Sequence, residues 1–120
     1  MAIQFEDMVR TLAKPGVEIL FSMTPEKCHH LHMAVGVAGE AGELLDAVKK
    51  YVVYNKPLDR ENVIEELGDL EFYMEGLREK LGITRQETLD ATIAKLGERY
   101  KGFQYSDKAA QDRADKVEGQ

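Results

Sequence analysis

Two acidic pairs stand out in the chain, Glu40 with Glu43 and Glu66 with Asp69. Three residues separate the members of each pair, so on a helix they share one face, one above the other. An acid on a solvated helix ordinarily finds Lys or Arg three or four residues away. Around Glu40 those positions hold Val37, Gly36, Glu43 and Leu44; around Glu43 they hold Glu40, Gly39, Asp46 and Ala47. Around Glu66 they hold Val63, Asn62, Asp69 and Leu70; around Asp69, Glu66, Glu65, Phe72 and Tyr73. No cation occurs in any set, and like charges at this spacing are destabilising by roughly a few tenths of a kcal/mol per pair. A solvated acidic face therefore explains these residues poorly.

On a wheel of about 100° per residue, Val37, Ala41, Leu44, Val48, Tyr51 and Val52 form one apolar stripe, with Glu40 on its shoulder and Glu43 further round. Val63, Leu67, Leu70, Met74 and Leu77 form a second stripe, with Glu66 and Asp69 on the matching shoulder. Two helices with matched acidic shoulders beside a buried seam predict a shared cation site. Four carboxylates without Cys or His favour a hard ion, Mg²⁺ or Mn²⁺.

Other residues could serve an anionic ligand. Lys95 and Arg99 are four apart; at a helix C-terminus they complement the macrodipole, and the same geometry can clamp a polyphosphate. Lys49, Lys50 and Lys56 follow the first acidic pair, and Tyr73 stands one turn beyond Asp69, either in the core or against a sugar or base. His32 lies about two turns before Glu40 and nearly in line with it, a candidate substrate contact. Glu26-x-x-His29 is half of a di-iron bundle pattern, but no second copy exists, and a zinc site from His and Cys28 has little support.

The elements that must position these groups are helical: period 3.6 dominates and period 2 is absent over any useful length, so the domain is expected to be all-α. A short helix is expected over 3–13, stopped by Pro15-Gly16, with a further turn at 17–21. Thr24 caps a long helix, with Pro25 at its first position, running to about Tyr54 before Asn55-Lys56-Pro57. That helix carries Gly36, Gly39 and Gly42, each costing up to about 1 kcal/mol relative to Ala, which points to a close helix crossing, a functional approach or both. Asp59 caps a helix over 60–81 stopped by Gly82; Thr84 caps another over 85–100, with Glu87 completing a capping box. Residues 106–120 are polar, with Val117 the only large apolar residue, and read as a mobile tail or loosely docked terminal helix.

Composition sets the outer limits. At 120 residues, with 43% hydrophobic and 32% charged, the chain is expected to form one domain over 1–105 with a polar tail over 106–120. Its apolar runs fall short of the ~20 residues of a membrane span, and the first residues do not resemble a secretory signal. The lone Cys28 fits a reducing cytoplasm. A net charge of −6 argues against a nucleic-acid duplex as partner. A small phosphorylated ligand is compatible with that charge if metal and local lysines neutralise it.

Glu40-x-x-Glu43 followed by Glu66-x-x-Asp69, within Gly-Glu-Ala-Gly-Glu-Leu (39–44) and Glu-Glu-Leu-Gly-Asp-Leu (65–70), resembles the signature of the MazG-like, all-α nucleoside triphosphate pyrophosphohydrolases, as does Lys-Leu-Gly-Glu-Arg-Tyr (95–100). The similarity covers roughly residues 28–105. It implies hydrolysis of an NTP or dNTP between the α and β phosphates, giving a monophosphate and pyrophosphate. It also implies bound Mg²⁺ and a four- to five-helix bundle completed by a second protomer, as a homodimer or homotetramer. Carried over by position, Glu40, Glu43, Glu66 and Asp69 hold the metals, Lys95 and Arg99 reach the phosphates, and Tyr73 lies against the nucleoside. Thr92 stands where many relatives have Asn, and the chain lacks the tryptophans some members place around the base, so base preference does not transfer.

The chemistry is coherent on physical grounds as well. Divalent ions held by the carboxylates would bridge phosphate oxygens and activate a water, with Glu40 orienting or deprotonating it. Two rivals are a dUTPase-like or phosphoribosyl-ATP-type pyrophosphohydrolase, and a non-catalytic helical dimer that binds a metal, nucleotide or partner protein.

Overall fold

The computed structural model describes residues 2–116. Six α-helices follow one another: α1 (Phe5–Leu12), α2 (Gly16–Phe21), α3 (Pro25–Val52), α4 (Arg60–Leu81), α5 (Arg85–Arg99) and α6 (Asp107–Asp112), with a 3₁₀ turn at Lys101–Phe103. No strand occurs among the described residues, so the fold is all-α. No helix among them is long and apolar enough to cross a membrane.

The long helices begin and end where local chemistry dictates. Thr24 and Asp59 accept the backbone N–H groups of Lys27 and Asn62, each at 3.1 Å, satisfying donors that the first turn leaves free. Gly82 ends α4 in the left-handed region (φ 69°), and the Ile83 N–H returns to the Arg78 carbonyl at 3.0 Å, the pattern of a Schellman stop. Thr84 accepts the Glu87 N–H at 3.0 Å, and its hydroxyl donates to the Glu87 carboxylate at 3.4 Å. The capping box is thus closed through the threonine hydroxyl rather than through its backbone N–H.

α3 and α4 form an antiparallel hairpin, the one extensive helix–helix packing among the described residues. Among the withdrawn positions, His30, Met33, Val37, Glu40, Leu44 and Ala47 form one series on α3 and Val63, Glu66, Leu70, Tyr73 and Leu77 another on α4, flanked by His29, Gly36 and Asp46 and by Asn62, Met74, Gly76 and Arg78. Both series alternate steps of three and four, the heptad pattern of a left-handed seam. This corrects the wheel: Glu40 and Glu66 lie in the seam itself, while Leu67 and Val52, assigned to the apolar stripes, are 49% and 67% exposed. A long helix pair held face to face follows about 3.5 residues per contact, and the 100° wheel drifts from it by about 20° per heptad, which accumulates along helices of this length.

Two glycines let the hairpin close. A Cβ at Gly36 would sit 2.2 Å from Tyr73 Cδ1, and one at Gly76 would sit 2.4 Å from Met33 Sδ. A tyrosine ring and a thioether therefore fill the notches these residues leave. Of the three α3 glycines, only Gly36 has this role; Gly39 and Gly42 face open space within the chain.

Taken over all the described residues, the chain is spread out. Its radius of gyration is 20.0 Å, against about 14 Å for a compact domain of this length. Met33 and Ala47 are the only buried apolar residues described, whereas Phe5, Leu12, Leu20, Phe21 and Phe72 are largely exposed. The helices do not close a bundle within one chain. α5 packs chiefly against the 3₁₀ turn and α6 rather than against the hairpin.

Candidate functional site

The hairpin brings three of the four acids together. One carboxylate oxygen from each of Glu40, Glu66 and Asp69 lies within 4.8 Å of the other two. Glu40 and Glu66 are half-buried and Asp69 is exposed, so the cluster opens from the seam onto the surface. The Glu66 Oε2 atom is out of solvent and has no hydrogen-bond partner. Such an atom in a low-dielectric setting is destabilising unless a proton or cation meets it.

Electrostatics at Glu66 report the same frustration. A hydrogen bond that a protonated Glu66 can make to the Glu40 carboxyl, loss of solvent, and repulsion from Glu40, Asp69 and Glu43 push its carboxyl up to about 7. Two carboxylates this close cannot both be charged without help, so near neutrality the pair either keeps a proton or takes a cation. The donor set suits the second role: oxygen atoms only, from three helical positions, converging on one point. Glu43, one turn beyond Glu40, is exposed and lies outside this tight group, although it is near enough to act on Glu66 through charge.

Tyr73 stands over Gly36, half-buried, with its ring edge-on to Phe72 (5.2 Å between centroids) and to His32 (6.2 Å). His32 and Tyr73 are thus neighbours across the hairpin, Tyr73 one turn beyond Asp69 and His32 about two turns before Glu40. Lys50 pairs with Asp46 at 3.0 Å, which holds that carboxyl below its usual range. It also lines a cavity of about 290 Å³ with Ala47, Lys56, Pro57, Asp59 and Asn62, at the closed end of the hairpin.

Lys95 and Arg99 are not brought to the carboxylates within one chain. Both ride on α5, where Lys95 is exposed and Arg99 Nε donates to Asp115 Oδ1 at 2.8 Å. Sequence reasoning missed this partner, sixteen residues downstream, because no local spacing announces it. It also missed that His29 Nε2 meets the Gly76 carbonyl at 2.8 Å, and that His30 Nδ1 is withdrawn without a partner. The heptad steps running through His30, Met33 and Val37 to Glu40 were the signal for the first part of that seam.

Fold and site together define an all-α protein whose helical hairpin holds a cluster of oxygen donors suited to a divalent cation. The MazG nucleotide pyrophosphohydrolase domain model matches residues 28–104. The chain belongs to that family, whose members generally depend on a divalent metal. Membership supports nucleotide pyrophosphohydrolase activity as the general class. No curated protein and no solved structure shows significant similarity to the chain.

Proposed function

We propose that residues 1–105 form a Mg²⁺-dependent enzyme that cleaves a nucleoside or deoxynucleoside triphosphate between the α and β phosphates, releasing the monophosphate and pyrophosphate in a cytoplasmic nucleotide pool. The observation that carries this reading is the convergence of Glu40, Glu66 and Asp69, with the Glu66 Oε2 atom lacking any partner. The donors present fit a hard cation: three carboxylates at one point, with Glu43 a turn away. When bound, Mg²⁺ supplies charge neutralisation for the phosphates and acidifies a coordinated water.

The chain's own residues do the rest. Glu66 and Asp69, projecting from successive turns of α4, hold the donor geometry fixed because the Gly36–Tyr73 and Gly76–Met33 contacts lock the register of the hairpin. Glu40, touching Glu66, is the group we assign to orient the attacking water and take its proton. Tyr73 and His32 offer an aromatic edge to the nucleoside. Lys50 offers a cation toward the phosphates. Lys95 and Arg99 reach the same substrate only from an α5 that is not packed on this hairpin, which favours a homodimer or homotetramer in which a second copy brings them. The exposed apolar faces of α1 and α2 support the same assembly.

The test is pyrophosphate release from the eight common NTPs and dNTPs, with and without Mg²⁺, for the wild type and for Glu43→Ala and Glu66→Ala. Metal-dependent release that both variants lose is the expected result. Release independent of metal, or equal in all three proteins, would overturn the assignment.

A further inference from the structure

The contact between Arg99 and Asp115 differs from the other ion pairs among the described residues in the burial of its acid. The acids paired at Asp7–Arg10, Asp46–Lys50, Glu71–Arg78, Glu75–Arg78 and Asp112–Lys108 lie on the same helix as their partners and are about half exposed, even where Arg78 itself is withdrawn; Asp115 also has Lys116 Nζ at 4.0 Å. The Arg99 pair instead spans sixteen residues, and its carboxylate is almost completely enclosed, with 3% of the Asp115 side chain exposed against 17% for Arg99. Hydrogen bonding to the guanidinium holds the Asp115 carboxyl below its usual range and raises Arg99 further.

The segment that delivers Asp115 is short and lightly held. Ser106 caps α6 by accepting the Ala109 N–H at 3.1 Å, and Arg113 ends it in the left-handed region (φ 50°, ψ 57°). The Lys116 N–H then returns to the Arg113 carbonyl at 2.8 Å, a turn that folds the chain back and carries Asp115 to Arg99. Within α6 only the small residues Ala109 and Ala110 are withdrawn from solvent, so apolar burial contributes little to docking. Among the described residues the charge pair is the only side-chain hydrogen bond between this segment and α5, and a guanidinium fork binds a phosphate as well as it binds a carboxylate.

We infer that Ser106–Lys116 is an autoinhibitory strap: the Asp115 carboxylate occupies Arg99 in place of a substrate phosphate and must leave before a triphosphate can be clamped. The inference rests on the proposed function only in taking a polyphosphate as the ligand of Arg99. The strap competes for an anion site and leaves the carboxylate cluster untouched, so it acts on affinity and not on the chemical step.

The experiment measures the Kd of Mg²⁺–tripolyphosphate by calorimetry on the full chain, for the wild type, Asp115→Asn, Arg99→Ala and the double variant. Asp112→Asn, which removes a nearby charge paired only to Lys108, is the control. Asp115→Asn is expected to tighten binding by about threefold to tenfold or more, the range of exposed ion pairs being the lower bound for an enclosed one, and Asp112→Asn to leave it unchanged. Arg99→Ala is expected to weaken binding and to abolish the response to Asp115→Asn. An unchanged Kd in Asp115→Asn, an equal gain in the Arg99→Ala background, or no binding by any variant overturns the strap. Tripolyphosphate binding that responds to Asp115 without hydrolysis of any nucleotide would sink the proposed function alone. Hydrolysis with unchanged Kd and KM in Asp115→Asn would sink the strap alone.

Discussion

Glu66 and Asp115 are both carboxylic acids with oxygen atoms withdrawn from water, and their surroundings are opposite. Glu66 meets Glu40, Asp69 and Glu43, and its affinity for a proton rises; Asp115 meets Arg99, and its affinity falls. The first group is left short of positive charge by the fold, while the second is fully served by it. A carboxylate neutralised within the chain holds structure together. One surrounded by its own kind stores repulsion that an external cation relieves. On the function and the strap proposed above, the hairpin and the C-terminal segment divide two tasks, the capture of a cation and control of access to an arginine.

The sharpest way to break this contrast is to remove the repelled acids. Glu40→Gln is expected to lower kcat by about two orders of magnitude or more, the usual contribution of a positioned base, with helicity by circular dichroism unchanged. Near-normal turnover would take the proton-accepting role away from Glu40.

Next in size is a change to the frame that holds the acids. Gly36→Ala places a methyl group on the Tyr73 ring, and overpacking of this kind destabilises by about 1–3 kcal/mol, beyond the ~1 kcal/mol of helix propensity that alanine returns. The thermal midpoint should fall. Gly39→Ala meets nothing within 4 Å in the chain, so there the propensity gain stands alone and the midpoint should rise; a fall at that position would mark a face covered by a second copy.

The proton on Glu66 gives a third effect. Between about 4.5 and about 7 the folded chain holds a proton that the unfolded chain has released. The metal-free protein should therefore be most stable below that window and lose this contribution as pH rises through about 7. Mg²⁺ displaces the same proton, so its affinity should climb over the same interval. Urea titrations of the wild type and Glu66→Gln test this: the variant should lose the slope, and an identical slope in both would show that another group carries it.

The smallest effect belongs to the satisfied acid. Asp115→Asn should leave kcat unaltered while lowering KM by the same factor that it lowers Kd. A drop in kcat would mean that the segment also supports the chemical step.

Much of the frame was legible because it is written in local chemistry. Asp59, Gly82 and Thr84 set the limits of α4 and α5 through hydrogen bonds within a few residues of themselves. The acidic cluster was legible from an absence, since no cation stood within one turn of Glu40, Glu66 or Asp69. The place of Glu40 and Glu66 within the seam was read as a shoulder because a single-helix wheel omits the partner that retunes its period. The reasons for the α3 glycines separated only in three dimensions, where Gly36 alone faces an aromatic ring. Asp115 was illegible altogether, since pairing across a turn leaves no periodic trace in a polar tail. Of the two expectations for 106–120, a mobile tail or a loosely docked terminal helix, α6 over Asp107–Asp112 corresponds to the second; Val117 lies outside the described residues.

Glu40 and Glu66 stand on adjacent arms of one hairpin, joined by the short connection between Val52 and Arg60. Contacts of such modest sequence separation need little loop closure and form early in folding, well before surfaces meet by diffusion. The carboxylate cluster should therefore assemble in a first-order step. In stopped-flow refolding, its Mg²⁺ response should emerge at a rate independent of protein concentration, ahead of any phase that accelerates with concentration. The cation site would then be in place before association begins.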